Sequence, residues 1–570
     1  MTRLIDPHGG TLKNGYLAAD EALAAKEAAL DYPSWDLSQR QLCDLELLLN
    51  GGFSPLEGFM NSADYDRVVA DMRLVDGTLW PMPITLDVRD AFAGQIEIGD
   101  TIALRDQESV LIATMTVESK WTPDKEREAS EVYRTTDIAH PGVDHLLHRA
   151  HAVYLGGSVS GIERPTHYDF MYLRDSPQEL RRKFDARGWS RIVAFQTRNP
   201  MHRAHQEMTY RAAQSAEANL LIHPVVGMTM PGDINHFSRA RCYELIVKSY
   251  PEQTTALSLL PLAMRMAGPR EAVWHAIIRK NFGCSHFIVG RHHAAPGKNS
   301  EGEDFYGPYD AQDMLRGLEP ELGIRMIPFK EMVYVQDRGQ YLPADEVQPG
   351  ETVLTISGTE FRRRLRAGLE IPDWFSFPEV VAELRKTHPP RDRQGFTVFF
   401  TGLPSAGKST IANALMLKLL ELGGRATTLL DGDVVRKHLS SELGFSKEHR
   451  NLNILRIGFV ASQITKSGGI AICAPIAPYA NIRRQVRELI EPNGGFIEVY
   501  VSTPIETCER RDRKGLYAKA RAGVISGVTG IDDPYEVPAD PELEINTEDY
   551  TPDQAAQRVV LKLEGLGFIK

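Results

Sequence analysis

The segment GLPSAGKS at residues 402–409 constrains the fold of this chain more than any other feature. It fits the pattern GxxxxGK[ST], follows the β-rich run FTVFF (396–400) and precedes IANALMLKLLEL, whose apolar residues have helical spacing. Glycines in such a loop let backbone N–H groups turn toward phosphate, the lysine reaches the terminal phosphates, and the hydroxyl is placed to ligate Mg²⁺. The sequence therefore predicts a strand, loop and helix that bind a nucleotide through Gly402, Leu403, Pro404, Ser405, Ala406, Gly407, Lys408, Ser409 and Thr410.

Acidic residues follow the next predicted strand, RATTLL, at Asp431 and Asp433, with Arg436 one turn later. Carboxylates at a strand end beside a phosphate loop suit metal ordering and activation of a hydroxyl nucleophile, and Arg436 suits an anionic acceptor. Capping of the following helix by Asp433 is an alternative compatible with that role.

Four more β-rich runs alternate upstream with segments of helical periodicity, at 191–196, 219–226, 256–262 and 286–290. This alternation predicts a parallel α/β sheet that binds ligands at the carboxyl ends of its strands. The first 169 residues have short alternating runs and many turn residues, which predicts a separate β-rich domain. The Pro-containing, basic stretch RKTHPPRDRQG (385–395) is typical of a linker. We therefore expect domains at 1–169, 170–393 (with the linker) and 394–570.

Composition narrows the classes of partner. Lys and Arg number 65 and Asp and Glu 76, a formal net charge of −11, so the chain as a whole lacks the positive field that attracts nucleic acids. Five scattered cysteines without a CxxC pair argue against a disulfide framework. No apolar stretch approaches the roughly 20 residues of a membrane span, and Pro and Gly near the N-terminus interrupt any signal peptide. We expect a cytoplasmic protein that binds small anions through local basic clusters, and neither nucleic acid nor membrane.

One such cluster is QTRNPMHRAH (196–205), which follows a predicted strand and opens a predicted helix with Pro200 in its first turn. Arg198 offers a planar fork for an oxyanion, and His202 and His205 share a helix face. Metal binding by the histidine pair is an alternative, but no Asp, Glu or Cys nearby completes a zinc site, and the polar surroundings argue against two core histidines. The pattern favours imidazoles that stabilise phosphate charge.

This segment, together with HPVVGMTMPGD (223–233), MAGPREAVWHAIIRKN (266–281), GRHHAAPG (290–297) and ISGTEFRRRLRAG (356–368), resembles ATP sulfurylase, or sulfate adenylyltransferase. In that family sulfate attacks the α-phosphorus of ATP, which gives adenosine 5′-phosphosulfate (APS) and pyrophosphate. The resemblance implies that Gln196, Arg198 and the backbone of Ala294 hold sulfate, and that His202 and His205 stabilise the transition state. It implies that the reacting loop is Thr197, Arg198 and Asn199, and that ATP also contacts Gln196, Gly290, Arg291, His292, His293 and Met332.

The chain departs from this family pattern at three positions. His292 and Ala295 stand where GRDHAG has Asp and Gly, and Met230 stands where TKPGD has Lys. A carboxylate replaced by an imidazole and a lost ammonium both change the field around a triphosphate. We expect sulfurylase activity to persist because the 196–205 loop is whole.

From residue 394 onward the chain resembles APS kinase, which phosphorylates the 3′-hydroxyl of APS to give 3′-phosphoadenosine 5′-phosphosulfate (PAPS) and ADP. The motifs are the phosphate loop, ELGFSKEHRNLNILR (442–456), APIAPY (474–479), RDRKGLYAKARAG (511–523) and GVTGIDDPYE (527–536). The resemblance implies Asp433 as the base, Lys408 as a catalytic group, Ser409 and Asp431 as ligands of the Mg²⁺ that accompanies ATP, and APS contacts at Asp431, Arg436, Phe445, Arg450, Asn453 and Lys514. An exposed lysine without a role is the alternative for Lys514. Val528 replaces the aromatic residue of FTG, so we expect weaker APS binding with turnover retained.

The chain is thus identified as a multidomain α/β protein with a β-rich N-terminal domain, a Rossmann-like nucleotidyltransferase domain and a P-loop kinase domain. The favoured function is two-step sulfate activation with ATP, sulfate, APS, PAPS and pyrophosphate as its small-molecule partners. Two alternatives remain open: a sulfurylase with a regulatory PAPS-binding module, as in fungal relatives, and an active kinase on an inactive sulfurylase-like scaffold. The resemblance also implies a homo-oligomer, with the fungal hexamer as the leading arrangement.

Overall fold

The computed structural model describes residues 4–230, 233–387, 389–512 and 514–570. The chain divides into two compact units. The first consists of Met1–Ser357 and Ile371–Leu384, and the second of Gly358–Glu370 and Arg385–Lys570. In the described part of the chain, no helix combines the length and apolar character that a membrane crossing requires.

The first unit contains fifteen strands among its described residues. They are β1 (Ser34–Asp36), β2 (Gly58–Phe59), β3 (Leu86–Val88), β4 (Thr101–Arg105), β5 (Leu111–Thr116), β6 (Ser119–Trp121), β7 (Val153–Gly161), β8 (Ile192–Phe195), β9 (Asn219–Ile222), β10 (Thr255–Leu257), β11 (His286–Val289), β12 (Arg325–Pro328), β13 (Met332–Val335), β14 (Gln340–Pro343) and β15 (Val353–Leu354).

The α-helices of the same stretch are α1 (Ala19–Ala28), α2 (Gln39–Leu49), α3 (Ser62–Asp71), α4 (Asp90–Ala93), α5 (Lys125–Val132), α6 (Pro141–Asp144), α7 (Pro177–Ala186), α8 (Arg203–Ser215), α9 (His236–Val247), α10 (Gly268–Asn281) and α11 (Asp310–Leu322). Two helices follow near the division of the units. They are α12 (Gly358–Arg366), which belongs to the second unit, and α13 (Pro378–Thr387), inside which the division falls. Residues 385–387 of the predicted linker are therefore helical, and the linker itself stays a prediction. His388, which that prediction also includes, lies outside the described residues.

The N-terminal sheet is organised around β7. Its strand order is β1-β4-β5-β7-β2, and β3 and β6 also pair with β7. Close backbone packing at β7 requires glycine, because a Cβ at Gly156 would lie 2.1 Å from the carbonyl oxygen of Met60. This sheet agrees with the expected β-rich fold. A shared hydrophobic core joins it to later residues, for example through Phe53 and Trp274, whose ring centroids are 5.2 Å apart. The boundary at 169/170 stays a prediction.

The second sheet is entirely parallel, in the order β10-β9-β8-β11-β12. The predicted parallel α/β sheet is therefore present, but two of its strands are shorter than predicted. The run 219–226 forms a strand only as far as Ile222, and the run 256–262 only as far as Leu257. Pro224, which cannot donate to a sheet ladder, lies just beyond the end of β9, and the two runs pair again at an isolated bridge between Val225 and Leu260.

Burial on both faces of this sheet comes from the alternation of side chains along each strand. In β8, Ile192 and Ala194 contribute to one hydrophobic core and Val193 and Phe195 to the core on the other face. A separate small sheet, β14-β13-β15, is antiparallel.

The second unit is built on β16 (Phe396–Gly402), β17 (Thr427–Asp431), β18 (Ile470–Ala474), β19 (Gly495–Val501) and β20 (Leu543–Ile545). These strands are parallel in the order β17-β18-β16-β19-β20. The helices are α14 (Lys408–Leu422), α15 (Gly432–His438), α16 (Lys447–Lys466), α17 (Ala480–Ile490), α18 (Ile505–Arg511), α19 (Leu516–Arg521) and α20 (Pro552–Gly565). The predicted strand, loop and helix around the phosphate loop are therefore confirmed.

Candidate active sites

The strand order of the second sheet brings the predicted sulfurylase motifs together. β8 pairs in parallel with β9 on one side and with β11 on the other, so the carboxyl ends of all three strands lie at one edge. The chain reverses its direction of travel across the sheet between β8 and β11, and such a switch point is where α/β sheets bind ligands. The loops that leave this edge begin at Gln196, His223 and Gly290, the starts of three motifs singled out in the sequence.

The first of these loops is longer than predicted. Helix α8 begins at Arg203, so the prediction that Pro200 occupies its first turn is wrong. The helix begins late because His202 is its N-cap, in an extended conformation, and donates its backbone N–H to Nδ1 of His205 at 3.1 Å.

The two histidines lie together at the start of α8, with ring centroids 5.9 Å apart. His202 is buried, and its Nδ1 lies 2.8 Å from the hydroxyl of Ser376. Burial, and then the neighbouring His205, lower the pKa of His202 to about 3, and burial lowers the pKa of His205 to about 4. Both rings are therefore neutral near pH 7. Since Nδ1 of His205 accepts a backbone N–H, its proton resides on Nε2, which is a donor.

Arg198 is held from two sides. Its Nη1 lies 2.5 and 2.7 Å from the two carboxylate oxygens of Asp233. Its carbonyl oxygen accepts from the buried Arg239 at 2.8 Å, and the carbonyl of Asn199 accepts from Tyr243 at 2.8 Å. Arg239 and Tyr243 come from α9, and no local motif marks them, so sequence reasoning missed both. Asp233 was visible in the PGD motif, but its partner was not.

The other residues of this loop either hydrogen-bond to close neighbours in sequence or leave a polar atom without a partner. The Oε1 atom of Gln196 is buried and has no hydrogen-bond partner among the described residues. The Thr197 hydroxyl accepts the N–H of Asn199 at 3.0 Å, which forms a tight turn. The backbone N–H of Met230 donates to Asp233 at 3.1 Å, so the position that lacks the family lysine lies beside the Arg198 pair. The loop thus brings one arginine, two neutral imidazoles and an unpaired amide oxygen to the sheet edge.

The loop after β11 contains two non-glycine residues in left-handed conformations, His292 (φ 52°) and Ala294 (φ 53°). Such conformations cost free energy and cluster at functional sites. Arg291 donates to Glu331 at 2.8 Å, and the ring of His293 contacts His275. Met332, the last residue of the predicted nucleotide set, begins β13 and is half-buried.

In the second unit, the lysine of the phosphate loop donates hydrogen bonds to the backbone of the loop itself. Nζ of Lys408 donates to the carbonyl oxygens of Gly402 at 2.8 Å and Leu403 at 2.7 Å. Burial lowers the pKa of Lys408 to about 8. Gly407 is the N-cap of α14 with φ 110°, a conformation that favours glycine.

Two oxygen-bearing side chains meet beside this lysine. The Ser409 hydroxyl donates to Oδ2 of Asp431 at 2.7 Å. Asp431 is also the N-cap of α15, since its Oδ1 accepts the N–H of Asp433 at 3.0 Å, so the idea that Asp433 caps the helix is wrong. The Asp433 carboxylate instead pairs with Lys514, which therefore has a partner although its side chain is exposed.

Apart from Asp431 and Lys514, the predicted APS residues lie in two groups. Arg436 donates to the carbonyls of Leu443 and Gly444, and its guanidinium lies 4.7 Å from the ring centroid of Phe445, which is 72% exposed. Arg450 donates to Asp533 at 2.9 Å.

Nearby polar side chains complete the second group. Asp533 also accepts from Tyr479 at 2.8 Å. Asn453 is buried, and its Oδ1 has no partner among the described residues. Asp533 was overlooked as a site residue, although it lies in the GVTGIDDPYE segment that the resemblance singled out.

Comparison with known proteins covers the whole chain. Family models described as PUA-like domain, ATP-sulfurylase and adenylylsulphate kinase match residues 5–164, 172–387 and 394–546. A sulfate adenylyltransferase of Phaeosphaeria nodorum is 55% identical over 99% of both chains, and one of Chaetomium globosum is 54% identical over 99% of both. The chain belongs to the sulfate adenylyltransferase family.

A solved structure agrees with this assignment. The hexameric APS kinase from Thiobacillus denitrificans is 44% identical, covers 100% of both chains and superposes with a TM-score of 0.80. This member of the family is accordingly a transferase with a PUA-like domain, a nucleotidyltransferase domain and a P-loop kinase domain. The predicted fold class and the family resemblance are confirmed.

We expect ATP binding at the phosphate loop to take up protons at pH 8. Lys408 is then about half protonated, and triphosphate oxygens raise its pKa, so about half a proton is bound per site. Calorimetric titration with MgATP, without sulfate or APS, in buffers of different ionisation enthalpy measures this uptake. Lys408→Arg, which is charged throughout, removes it. Equal uptake in wild type and Lys408→Arg contradicts the prediction.

Proposed function

We propose that this protein activates sulfate in two steps: ATP and sulfate give APS and pyrophosphate, and ATP and APS then give PAPS and ADP. The observation that carries the proposal is that one chain contains two parallel-sheet edges, each with residues of the types that bind phosphate. Arg198 and the histidine pair lie at the carboxyl edge of the first parallel sheet, and Lys408 and Ser409 lie at that of the second. Lys408 and Ser409 are both present in the phosphate loop, which favours a catalytic kinase domain over a regulatory module.

In the first step a sulfate oxygen attacks the α-phosphorus and pyrophosphate leaves. Gln196, Arg198 and the N–H of Ala294 hold the sulfate, which is a weak nucleophile and needs positioning more than a base. Thr197 and Asn199 shape the loop that carries Arg198. Gly290, Arg291, His292, His293 and Met332 line the nucleotide.

His202 and His205 act as neutral hydrogen-bond donors in this step. Their pKa values, about 3 and 4, keep both rings neutral near pH 7. The Nε2–H of His205 is available to the phosphate oxygens on which negative charge develops. Donors fixed before the reaction stabilise that charge without reorganisation.

In the second step the 3′-hydroxyl of APS attacks the γ-phosphorus of ATP. Asp433 accepts the hydroxyl proton once APS separates it from Lys514, and Lys408 moves from the loop carbonyls to the phosphates. Arg436, Arg450 and Asn453 hold the sulfate and phosphate groups of APS, and Phe445 stacks on its adenine.

The oxygen atoms at the phosphate loop fit Mg²⁺. The Ser409 hydroxyl and the Asp431 carboxylate are hard ligands that lie 2.7 Å apart, and Mg²⁺ prefers such oxygens. Ser409 and Asp431 would hold the Mg²⁺ that accompanies ATP, and the ion would supply positive charge to the phosphates.

We also propose how the two steps are coupled, how the chain assembles and where it acts. APS removal by the kinase pulls its formation forward by mass action. We infer a homo-oligomer, specifically a hexamer, because the hexameric APS kinase from Thiobacillus denitrificans is similar over its whole length. Five free, buried cysteines suit a reducing cytoplasm.

Two assays on one preparation test the two steps. We expect sulfate-dependent exchange between ATP and pyrophosphate, and APS-dependent ADP formation. Arg198→Ala lowers the first by about 100-fold or more and spares the second, and Lys408→Ala does the reverse. Absence of exchange in wild type overturns the first step in favour of an inactive scaffold. Absence of ADP formation overturns the second in favour of a regulatory module.

Asp233→Asn is expected to lower the KM for sulfate about threefold to tenfold. The carboxylate competes with sulfate for the Arg198 fork, and asparagine keeps an acceptor for the N–H of Met230 while losing the charge. Initial rates at varied sulfate measure the effect. Asp233→Glu keeps the charge and serves as control, and a raised KM in Asp233→Asn shows that the carboxylate assists sulfate binding.

Val528→Phe is expected to lower the KM for APS about fivefold or more, since one stacked ring contributes about 1–3 kcal/mol. Val528 is 8% exposed and stands where the family has an aromatic residue. The matched control is Val524→Phe, at a valine that is 69% exposed in the same segment. An unchanged KM in Val528→Phe disproves the proposed stacking position.

A further inference from the structure

Two buried side chains and a half-buried one form a line that leads into the loop following β11. Glu271 and His275 lie one turn apart on α10, both fully buried, with Nε2 of His275 3.3 Å from Oε1 of Glu271. On its other side, Nδ1 of His275 lies 3.0 Å from Nε2 of His293. The line therefore runs from a core carboxylate to a residue of the proposed nucleotide site.

The carboxylate end fixes which nitrogen of His275 carries the proton, through an electrostatic contact that lies outside hydrogen-bond geometry. The two oxygens of Glu271 accept the backbone N–H groups of Arg265 at 3.0 Å and Ala267 at 2.8 Å, so the group is an acceptor on both sides. The imidazole nitrogen that faces it must carry a proton, because two lone pairs repel. His275 therefore has its proton on Nε2 and a lone pair on Nδ1. His293 must then donate from Nε2.

The charge states agree with this assignment. Burial alone raises the pKa of Glu271, but His275 and the two N–H groups outweigh it and hold the pKa below its ordinary value. Burial lowers the pKa of His275. Burial, followed by His275 and the nearby Arg279, holds the pKa of His293 well below its ordinary value. Near pH 7 the line is one carboxylate and two neutral rings.

A neutral His293 with its proton on Nε2 has a free lone pair on Nδ1. Among the described residues, this Nδ1 has no hydrogen-bond partner. The ring is fixed edge-on against Phe287, at 5.5 Å between centroids, and lies between the left-handed residues His292 and Ala294. The line thus orients one acceptor atom in a rigid loop at the switch point of the sheet.

We propose that Glu271 and His275 are positioning residues that hold His293 as an acceptor, so that its Nδ1 selects a hydrogen-bond donor of the nucleotide. This inference rests on the proposed sulfurylase site. The matching donors on ATP are the 6-amino group of adenine and the ribose hydroxyls. Inosine triphosphate has a carbonyl oxygen in place of the amino group, so its lone pairs meet the lone pair of Nδ1 and binding is weakened.

The test measures nucleotide selectivity on the full chain with Lys408→Ala, so that only the sulfurylase site binds strongly. Calorimetry gives the affinities for ATP, inosine triphosphate and 2′- and 3′-deoxy-ATP. We expect ATP to be preferred to inosine triphosphate by about tenfold, and His275→Phe to lower that preference about threefold to tenfold. His275→Asn keeps an oxygen near the Nδ1 position and is expected to restore part of the preference.

His286→Phe is the matched control, since His286 is a buried histidine at the opposite end of β11 whose ring hydrogen-bonds only to Ser285 among the described residues. Thermal melting of each variant reports folding. A loss confined to a deoxy-ATP supports the acceptor and identifies its partner as a ribose hydroxyl.

Two results overturn the proposal: equal affinity of the chain with intact His275 for all four nucleotides, or an equal loss for all of them in folded His275→Phe. Failure of the proposed function is distinct from both, because it appears as absent sulfate-dependent exchange with nucleotide selectivity retained.

Discussion

The parallel pairing of β8 with β11 is the interaction on which the first active site depends. Its register places Val193 beside His286 and Ala194 beside Phe287, so both strands end at the same edge. The loops that carry Arg198 and His293 are distant in sequence and become neighbours only through this pairing. The second unit has the same arrangement. Its strand β16 lies between β18 and β19, and the phosphate loop follows the carboxyl end of β16. Parallel sheets put their ligands at such edges because helices cover both faces.

Buried polar side chains then fix the loops in place. Arg239 is 1% exposed and donates to the carbonyls of Arg198 and Val225 at 2.8 and 3.0 Å. Tyr243 and Glu271 hold other backbone groups in the same way. Desolvating a charge costs several kcal/mol, and hydrogen bonds only partly offset that cost. These residues therefore serve to position the loops and not to increase the net stability of the protein.

Four cationic groups of the two sites have partners within the protein. Arg198 pairs with Asp233, Arg450 with Asp533, and Lys514 with Asp433, while Lys408 bonds to its own loop. In the proposed reactions the ligand replaces these partners, which favours anions that offer more charge and better geometry than one carboxylate. Under that proposal, local basic groups serve sulfate and phosphates in an acidic protein without an overall positive field.

Short-range sequence patterns made part of the fold and of the two sites predictable. The phosphate loop is a contiguous strand, turn and helix, so its glycines and Lys408 could be assigned from spacing alone. The start of α8 was placed too early, because the capping of His202 by His205 competes with the helix-starting preference of Pro200. The predicted strands at 219–226 and 256–262 are too long, because regular pairing ends at Ile222 and Leu257 and returns as an isolated bridge between Val225 and Leu260, which β-rich composition does not reveal.

The sequence by itself determined the chemistry of the two sites, since the residue types that bind phosphate and sulfate lie in short contiguous motifs. The tertiary structure alone decided which groups meet them. Asp233 on Arg198, Asp533 on Arg450 and the line from Glu271 through His275 to His293 join residues whose contact depends on strand order and helix packing. Local spacing carries no record of such contacts, because burial and register are properties of the folded chain.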